Sequence, residues 1–187
     1  MKSPLFAFFL LFLLLCLTVS AADRRKDTKI LTIATYNADF LFDGNPPEGQ
    51  ANFPWKNNPD LADQHMRSVA EIIRRLNADM VNVLEVEDLD VLKHMNGAYL
   101  KGMGYEAYLV PGHDSYTRQN CGLLTRIDPV SALEIAENHV LDSEGKNRQC
   151  TKNYEAVFRV SGLDIALISA HLISLRGNNS AYREAQA

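Results

Sequence analysis

The sequence predicts a layered α/β domain with a mixed sheet. Segments typical of strand, helix, strand and helix alternate in the first half, and several short strands follow. The composition is that of a globular protein, with 47% hydrophobic and 22% charged residues, which excludes collagen-like, disordered and coiled-coil classes. The net charge of −4 argues against a simple basic DNA-binding module. It does not exclude an enzyme that binds phosphate through a metal ion.

The first 22 residues are predicted to be a secretory signal peptide, and residues 23–187 the domain. A positive charge at the second residue is followed by an apolar stretch over residues 5–19 and then by small residues. The alternative is a membrane anchor, but a span needs about 20 apolar residues. Cleavage is expected after Ala21, or one residue later after Ala22. We therefore expect a secreted, extracellular or periplasmic protein without stable membrane insertion.

Each later element has its own signal. β-Branched residues predict a strand over residues 30–36, and prolines predict a loop over 44–58. Apolar residues at helical spacing predict a helix over 61–76, with Asp60 as its N-cap. An apolar run predicts a buried strand over 80–84, and a second helix is expected over 86–100. Further strands are predicted over 105–110 and 122–125, and a hairpin over 154–160 and 163–170.

Three polar residues follow predicted apolar strands. Asn37 follows the first strand, Glu85 follows residues 80–84, and His171 follows the last strand. Functional groups gather at the carboxyl ends of strands in α/β sheets. Each residue alone is typical of a turn or a solvated position. Together, an amide, a carboxylate and an imidazole could hold a divalent ion and a phosphate.

Short stretches around these residues resemble the endonuclease/exonuclease/phosphatase superfamily, which includes pancreatic deoxyribonuclease. The resemblance is specific as an ordered set, although each stretch is short, and it covers residues 30–187. Leu84 departs from the glutamine that is most common before the family's glutamate. The stretches are 35–37 (TYN), 78–87 (ADMVNVLEVE), 120–126 (NCGLLTR), 169–172 (SAHL) and 183–187 (REAQA).

The resemblance implies a deoxyribonuclease-like layered β-sandwich with flanking helices. It implies Mg²⁺ (or Mn²⁺) as cofactor, with Glu85 as ligand and Asn37 placing the metal or the scissile phosphate. It implies that His171 contacts the phosphate and stabilises its developing charge. The neighbouring acids Glu87 and Asp88 are expected to be exposed.

The family's later motifs, an Asp-x-Asn, a distal Asp and a terminal Ser-Asp-His, do not follow His171 in this sequence. We therefore expect an incomplete domain whose C-terminal strands are missing and which is inactive alone.

The first functional hypothesis is a secreted, metal-dependent phosphoester hydrolase, foremost a nuclease whose partner is nucleic acid. The second is a non-catalytic secreted binding protein or degenerate relative, because the general base is absent. A third hypothesis keeps the hydrolase activity but has a phospholipid or an inositol phosphate as the substrate instead of nucleic acid. The sequence leaves the substrate and the oligomeric state open.

Two cysteines remain after the leader, Cys121 and Cys150. In an oxidising compartment they could pair, and such a disulfide stabilises by about 3–4 kcal/mol in the chain-entropy model. The alternative is two buried thiols. No zinc-binding spacing such as CxxC or HExxH occurs. Asn178 begins an Asn-Asn-Ser sequon and is a candidate for glycosylation.

Overall fold

Two sheets and two helices make up the part of the chain that the computed structural model describes. The described residues are 21–136, 141, 144–174, 182, 183 and 186. The predicted mixed α/β class is confirmed. In chain order the elements are β1 (Ile33–Leu41), α1 (Pro59–Leu76), β2 (Met80–Val86), α2 (Leu89–Tyr99), β3 (Glu106–Leu109), β4 (Asn120–Thr125), β5 (Asn153–Val160) and β6 (Leu163–Ala170).

The larger sheet is mixed, with the strand order β1-β2-β4-β3. β1 pairs with β2 in parallel, whereas β4 pairs with both β2 and β3 in the antiparallel sense. β5 and β6 form a separate antiparallel hairpin, paired from Asn153 and Ala170 to Val160 and Leu163. The parallel pair brings the carboxyl ends of β1 and β2 to the same edge of the sheet.

The central strands β2 and β4 of the larger sheet are buried on both faces because their side chains alternate between two cores, whereas alternate residues of the edge strand β1 are exposed. Met80 packs in a cluster that Tyr154 and Phe158 of β5 share, so the hairpin covers this face. Val81 and Val83 point to the opposite face, into the core that includes the buried side chains of both helices. A layer of helices, a mixed sheet and a hairpin therefore stack in that order.

Helix α1 begins two residues earlier than the sequence predicts. The N-cap is Asn58, whose side-chain oxygen accepts a hydrogen bond from Leu61 N. The prediction of Asp60 as the cap was wrong, because Pro59 takes the first helical position and Asp60 lies in the first turn. The helix ends at Asn77, which has a left-handed backbone conformation and whose N–H donates to Ile73 O.

Among the other elements β1 differs most from its prediction, since it spans Ile33–Leu41 and not residues 30–36, and the remaining boundaries shift by up to three residues. β1 extends past Asn37 to Leu41, so Asn37 lies within this strand and not after it. Val86 belongs to β2, and α2 begins after Asp88, whose side chain caps it by accepting from Val91 N. The hairpin matches its predicted strands to within one residue.

Two sequence predictions fall on residues outside the described ranges. The apolar stretch of the predicted leader lies within residues 1–20, and the candidate glycosylation site Asn178 lies within 175–181. Within the described ranges, no helix combines the length and the apolar character needed to cross a bilayer.

Candidate functional site

The three residues that the sequence singled out meet at one edge of the sandwich. Asn37 Nδ2 donates to Glu85 Oε1 over 2.9 Å. His171 Nε2 lies 3.5 Å from the same carboxylate oxygen. Asn37 and Glu85 come from the parallel pair β1 and β2, whereas His171 follows β6 of the hairpin. Both sheets therefore contribute to the site.

A bulge at Glu85 places its carboxylate. The pairing of β2 with β4 shifts register between Leu84 and Val86, and Glu85 has a φ of 65°. A non-glycine residue in this left-handed region costs about 1–3 kcal/mol unless its surroundings hold it there. The bulge lets Val86 pack in the helix-side core next to Val83. Glu85 has no partner in the pairing of β2 with β4, and its side chain contacts Asn37 and His171.

A turn within β1 supplies a backbone donor to this carboxylate. Asp39 and Phe40 both have left-handed φ angles, of 51° and 58°. Phe40 N donates to Glu85 Oε2 over 3.2 Å, and Asp39 N donates to Asn37 Oδ1 over 2.9 Å. Both side-chain ends of Asn37 are therefore engaged, one by the turn and one by Glu85.

Two aromatic side chains, Trp55 and His65, contact backbone carbonyl oxygens of the same turn. Trp55 Nε1 donates to Phe40 O over 2.7 Å, and His65 Nε2 lies 2.7 Å from Ala38 O. The rings of Trp55 and His65 stack with their centroids 3.7 Å apart. The loop after β1 and helix α1 thus jointly fix the turn that contacts Glu85.

Sequence reasoning missed three further polar residues of the site. Gln119 is buried, and its Nε2 donates to Glu85 Oε2 over 2.8 Å. Lys152 Nζ lies 3.4 Å from Gln119 Oε1 and 3.2 Å from Asp114 Oδ2. These residues lie outside the strands, in connecting segments, so no strand-end pattern marks them. No signal in the sequence itself identifies Gln119, because its burial is a property of the folded chain.

The surroundings of His171 favour its neutral form. Burial lowers the pKa of the imidazole below its ordinary value, and the positive charge of Lys152 lowers it further. Glu85 and Asp114 act in the opposite direction, without reversing the shift. The Nδ1 atom is buried and has no hydrogen-bond partner among the described residues. A neutral ring of this kind can donate one hydrogen bond from Nε2.

These side chains line a cavity of about 820 Å³ between the two sheets and the segment before β4. Its wall includes the exposed aromatic ring of Tyr116. Burial tends to raise the pKa of Asp114, but hydrogen bonds from Thr117 and Lys152 hold that pKa below its usual range. The polar lining residues central to the site are Glu85, Asp114, Gln119, Lys152 and His171.

The two acids after Glu85 differ in their surroundings. Asp88 is exposed, as predicted. Glu87 is half-buried, and the prediction that it is exposed was wrong. Its carboxylate turns inward and accepts from Asp43 N over 3.0 Å. Burial raises the pKa of Glu87 to about 7, helped by nearby acids that include Asp43.

Cys121 and Cys150 are both buried in the structure. Both Sγ atoms contact Lys152 O, at 3.4 and 3.3 Å, so the two cysteines are neighbours. Burial raises the pKa of Cys121 to about 11. The disulfide between them stays a prediction.

A hard divalent cation that retains most of its waters suits this set of donors. Within the described ranges, no three His, Cys, Asp or Glu side chains are grouped to hold a metal ion. A closed protein cage is therefore absent from that part of the chain. Mg²⁺ prefers oxygen ligands and commonly needs only one or two protein carboxylates, with waters and substrate oxygens completing its shell. Glu85 supplies such a carboxylate.

The chain is similar to several solved structures. No family model and no curated protein matches the chain. It is similar to a Bacteroides thetaiotaomicron protein at 19% identity over 79% of this chain and 52% of the other, with a TM-score of 0.46. That structure is described as an endonuclease/exonuclease/phosphatase family protein. This is the family that the sequence motifs resemble.

Two further matches have other printed descriptions. One is a mannosyl-6-phosphatase from Bacteroides thetaiotaomicron, at 19% identity, 74% and 50% coverage and a TM-score of 0.43. The other is TDP2 from Caenorhabditis elegans, at 16% identity, 78% and 36% coverage and a TM-score of 0.42. The chain thus spans between about a third and a half of these solved structures.

Proposed function

We propose that this site belongs to a phosphoester hydrolase that depends on a divalent metal. The observation that carries the proposal is that Asn37 of β1 and His171, which follows β6, both contact the Glu85 carboxylate of β2, so that both sheets contribute. An amide, a carboxylate and a neutral imidazole beside a lysine form a set that can bind both a cation and a phosphate. The proposal applies to the whole protein, of which this chain supplies the described part of the site.

Glu85 would hold the metal ion, Mg²⁺ or Mn²⁺. When bound, such an ion polarises a phosphoryl oxygen and stabilises a leaving alkoxide. Asn37, Gln119 and the backbone N–H of Phe40 donate to the Glu85 carboxylate and fix its orientation. Direct coordination of the ion by Asn37 remains a prediction, since its side-chain oxygen accepts from Asp39 N.

His171 would bind the phosphate as a hydrogen-bond donor. Burial lowers the pKa of the imidazole and so favours the neutral ring, which can still donate one hydrogen bond from Nε2. A donor held in a partly buried site stabilises negative charge that develops on the phosphate more than it would in water. Lys152 adds a positive charge to the same cavity.

A nucleic-acid phosphodiester is the proposed substrate. Tyr116 is 58% exposed at the wall of the cavity, and its aromatic ring offers a face on which a base can stack. An inositol phosphate or a phospholipid headgroup lacks such a flat base. These two substrate classes are the rivals that an assay must include.

The test is Glu85→Gln in the complete protein, which preserves the size of the side chain but removes its charge. We expect Mg²⁺-dependent cleavage of single- and double-stranded DNA and RNA to fall by at least about a hundredfold, comparable to losing a principal electrostatic group. Glu71→Gln is the matched control, because Glu71 is exposed on α1 and pairs with Arg75.

Chelation of divalent ions should abolish the wild-type activity in the same assay. Unchanged cleavage by the Glu85→Gln protein would contradict the role of Glu85 in holding the metal ion. Hydrolysis of inositol phosphate or phospholipid in preference to nucleic acid would overturn the substrate. If the wild type cleaves nothing with any divalent ion, the non-catalytic reading replaces the proposal.

A further inference from the structure

The start of the described chain is bound to the end of strand β4. Asp128 N donates to Ala22 O over 2.8 Å, and Arg24 N donates to Arg126 O over 2.7 Å. Between these two hydrogen bonds, Asp23 pairs with Ile127 as an antiparallel bridge. Ala22, Asp23 and Arg24 therefore form a short extension of the larger sheet.

The side chain of Asp128 lies at the very beginning of this extension. Its Oδ2 atom accepts from Ala22 N over 3.1 Å. Its Oδ1 atom accepts from Arg24 and, over 2.9 Å, from the hydroxyl group of Tyr108. The carboxylate thus has three donors, one of which is the backbone nitrogen of Ala22.

We propose that the Ala21–Ala22 bond is the processing site of this chain, and that the new amino terminus of Ala22 forms an ion pair with Asp128. An endopeptidase of the leader-removing class would use one water molecule. The hydroxyl group goes to the Ala21 carbonyl carbon, the C–N bond breaks, and the Ala22 nitrogen takes the proton. At pH 7 the new Ala21 carboxyl group releases its proton to solvent and the Ala22 amine takes one up to become an ammonium group, since an α-amine has a pKa near 8.

The structure distinguishes this bond from the next one. The sequence alone allows cleavage after Ala21 or after Ala22. Cleavage after Ala22 would remove the residue that makes both contacts with Asp128, through its nitrogen and its carbonyl oxygen. Retention of Ala21 would move the ammonium group by one residue, about 3.8 Å along the chain. Only cleavage between the two alanines places the new charge at the Asp128 carboxylate.

The charges around this carboxylate are compatible with a second cation. Among the described residues, Arg24 forms an ion pair with Asp128; the hydrogen bond to Asp128 raises the pKa of Arg24 most, and the charge of Glu106 raises it further. Asp23 is paired with Arg25. Asp128 accordingly meets Arg24, Tyr108 and the nitrogen of Ala22, and two acids stand nearby. Asp23, Glu106 and Asp128 carry three negative charges here against the two positive charges of Arg24 and Arg25. An ammonium group at Ala22 would balance the third.

The first experiment determines the amino-terminal residue. The full chain with its leader is expressed in a secreting host, and the first residue of the secreted protein is read by amino-terminal sequencing and intact mass. We expect Ala22 to be first. A protein that begins at Asp23 or later, or that keeps its leader, would overturn the proposed site.

The second experiment measures the ion pair. Three forms are compared: the chain from Ala22 with a free amine, the same chain acetylated, and the chain from Ala21. Each is prepared with and without Asp128→Asn. At pH 6.5 we expect Asp128→Asn to lower Tm by up to about 3 °C more in the free Ala22 form than in the other two. The excess should vanish in 1 M salt.

The matched control is Asp27→Asn, since Asp27 is an exposed acid of the same segment whose carboxylate accepts from Lys29 N. It should lower Tm equally in all three forms. The pKa of the Ala22 amine, measured from the pH dependence of its acylation rate, should be higher in the wild type than in the Asp128→Asn protein. Equal amine pKa values in these two proteins would overturn the ion pair, even where the Tm differences are small.

Discussion

At the scale of single residues, the site depends on one carboxylate in a strained backbone position. Glu85 has a left-handed φ, and donors from Asn37, Phe40 and Gln119 surround it. The sequence could predict Asn37, Glu85 and His171, because each is a polar residue directly after a run of mostly apolar residues, although Asn37 and Glu85 lie within their strands in the structure. It could not predict Gln119, whose role depends on a loop conformation that no periodic pattern encodes.

Gln119 is expected to matter almost as much as the residues that the sequence marks. Gln119→Ala removes the Nε2 donor to Glu85 and the acceptor for Lys152. Loss of such a supporting contact to a ligand typically costs about 10–100-fold in metal affinity or activity. We expect a loss in this range for Mg²⁺ affinity, measured by titration of activity in the complete protein. Gln64→Ala, at an exposed position on α1, is the control and should change neither quantity.

Cys121 should react slowly in the folded, reduced protein. Burial raises the pKa of its thiol from 9.0 to about 11, so at pH 8 the thiolate is about a hundredfold scarcer than in the unfolded chain. Iodoacetamide labelling followed by peptide mass analysis should show this slowing, and guanidinium should abolish it. Because the pKa of Cys121 is higher in the folded protein than in the unfolded chain, the free energy of unfolding also depends on pH. The unfolded thiol loses its proton first, so this thiol's contribution lowers stability as the pH rises from about 9 towards 11. Equal labelling rates in the native and unfolded protein would contradict the burial of Cys121.

At the scale of elements, the pairing of β1 and β4 with β2, with its register shifts next to Asn37 and at Glu85, positions these two residues of the site. The strands and helices were largely predictable, because hydrophobic alternation and helical periodicity are local properties. The bulge at Glu85 and the extension of β1 to Leu41 were not, because both come from register shifts between paired strands. Register belongs to a pair of strands and cannot be found in either strand alone.

Two glycines on facing elements make the contact between α2 and β4 testable. A Cβ at Gly122 would lie 2.8 Å from Leu92 Cδ2, so Gly122→Ala should lower the free energy of unfolding by about 1–3 kcal/mol through overpacking. Gly97 lies within α2 with no atom within 4 Å of an added Cβ. Gly97→Ala should therefore raise the free energy of unfolding by about 0.5–1 kcal/mol. Urea titration of both variants measures the difference, and a stabilising Gly122→Ala would refute the close packing.

At the scale of the whole molecule, the site forms only when the two sheets pack together. Asn37 and Glu85 belong to the larger sheet, whereas Lys152 and His171 flank the hairpin. The cluster of Met80, Tyr154 and Phe158 joins the two layers beneath the site. Sequence patterns predicted each layer, but the packing of the hairpin against the sheet is a long-range contact that only the structure supplies. Assembly of the site therefore depends on the packing of the hairpin against the larger sheet.

The most direct test of the central claim is Mn²⁺ binding to this chain, followed by electron paramagnetic resonance of the free ion. We predict one saturable site in the wild type that Mg²⁺ displaces. Glu85→Gln should lose it, and Glu71→Gln should retain it. Circular dichroism verifies that all three proteins are folded. Mn²⁺ binding that is equal in the wild type and the Glu85→Gln protein would contradict the assignment of Glu85 as the metal ligand.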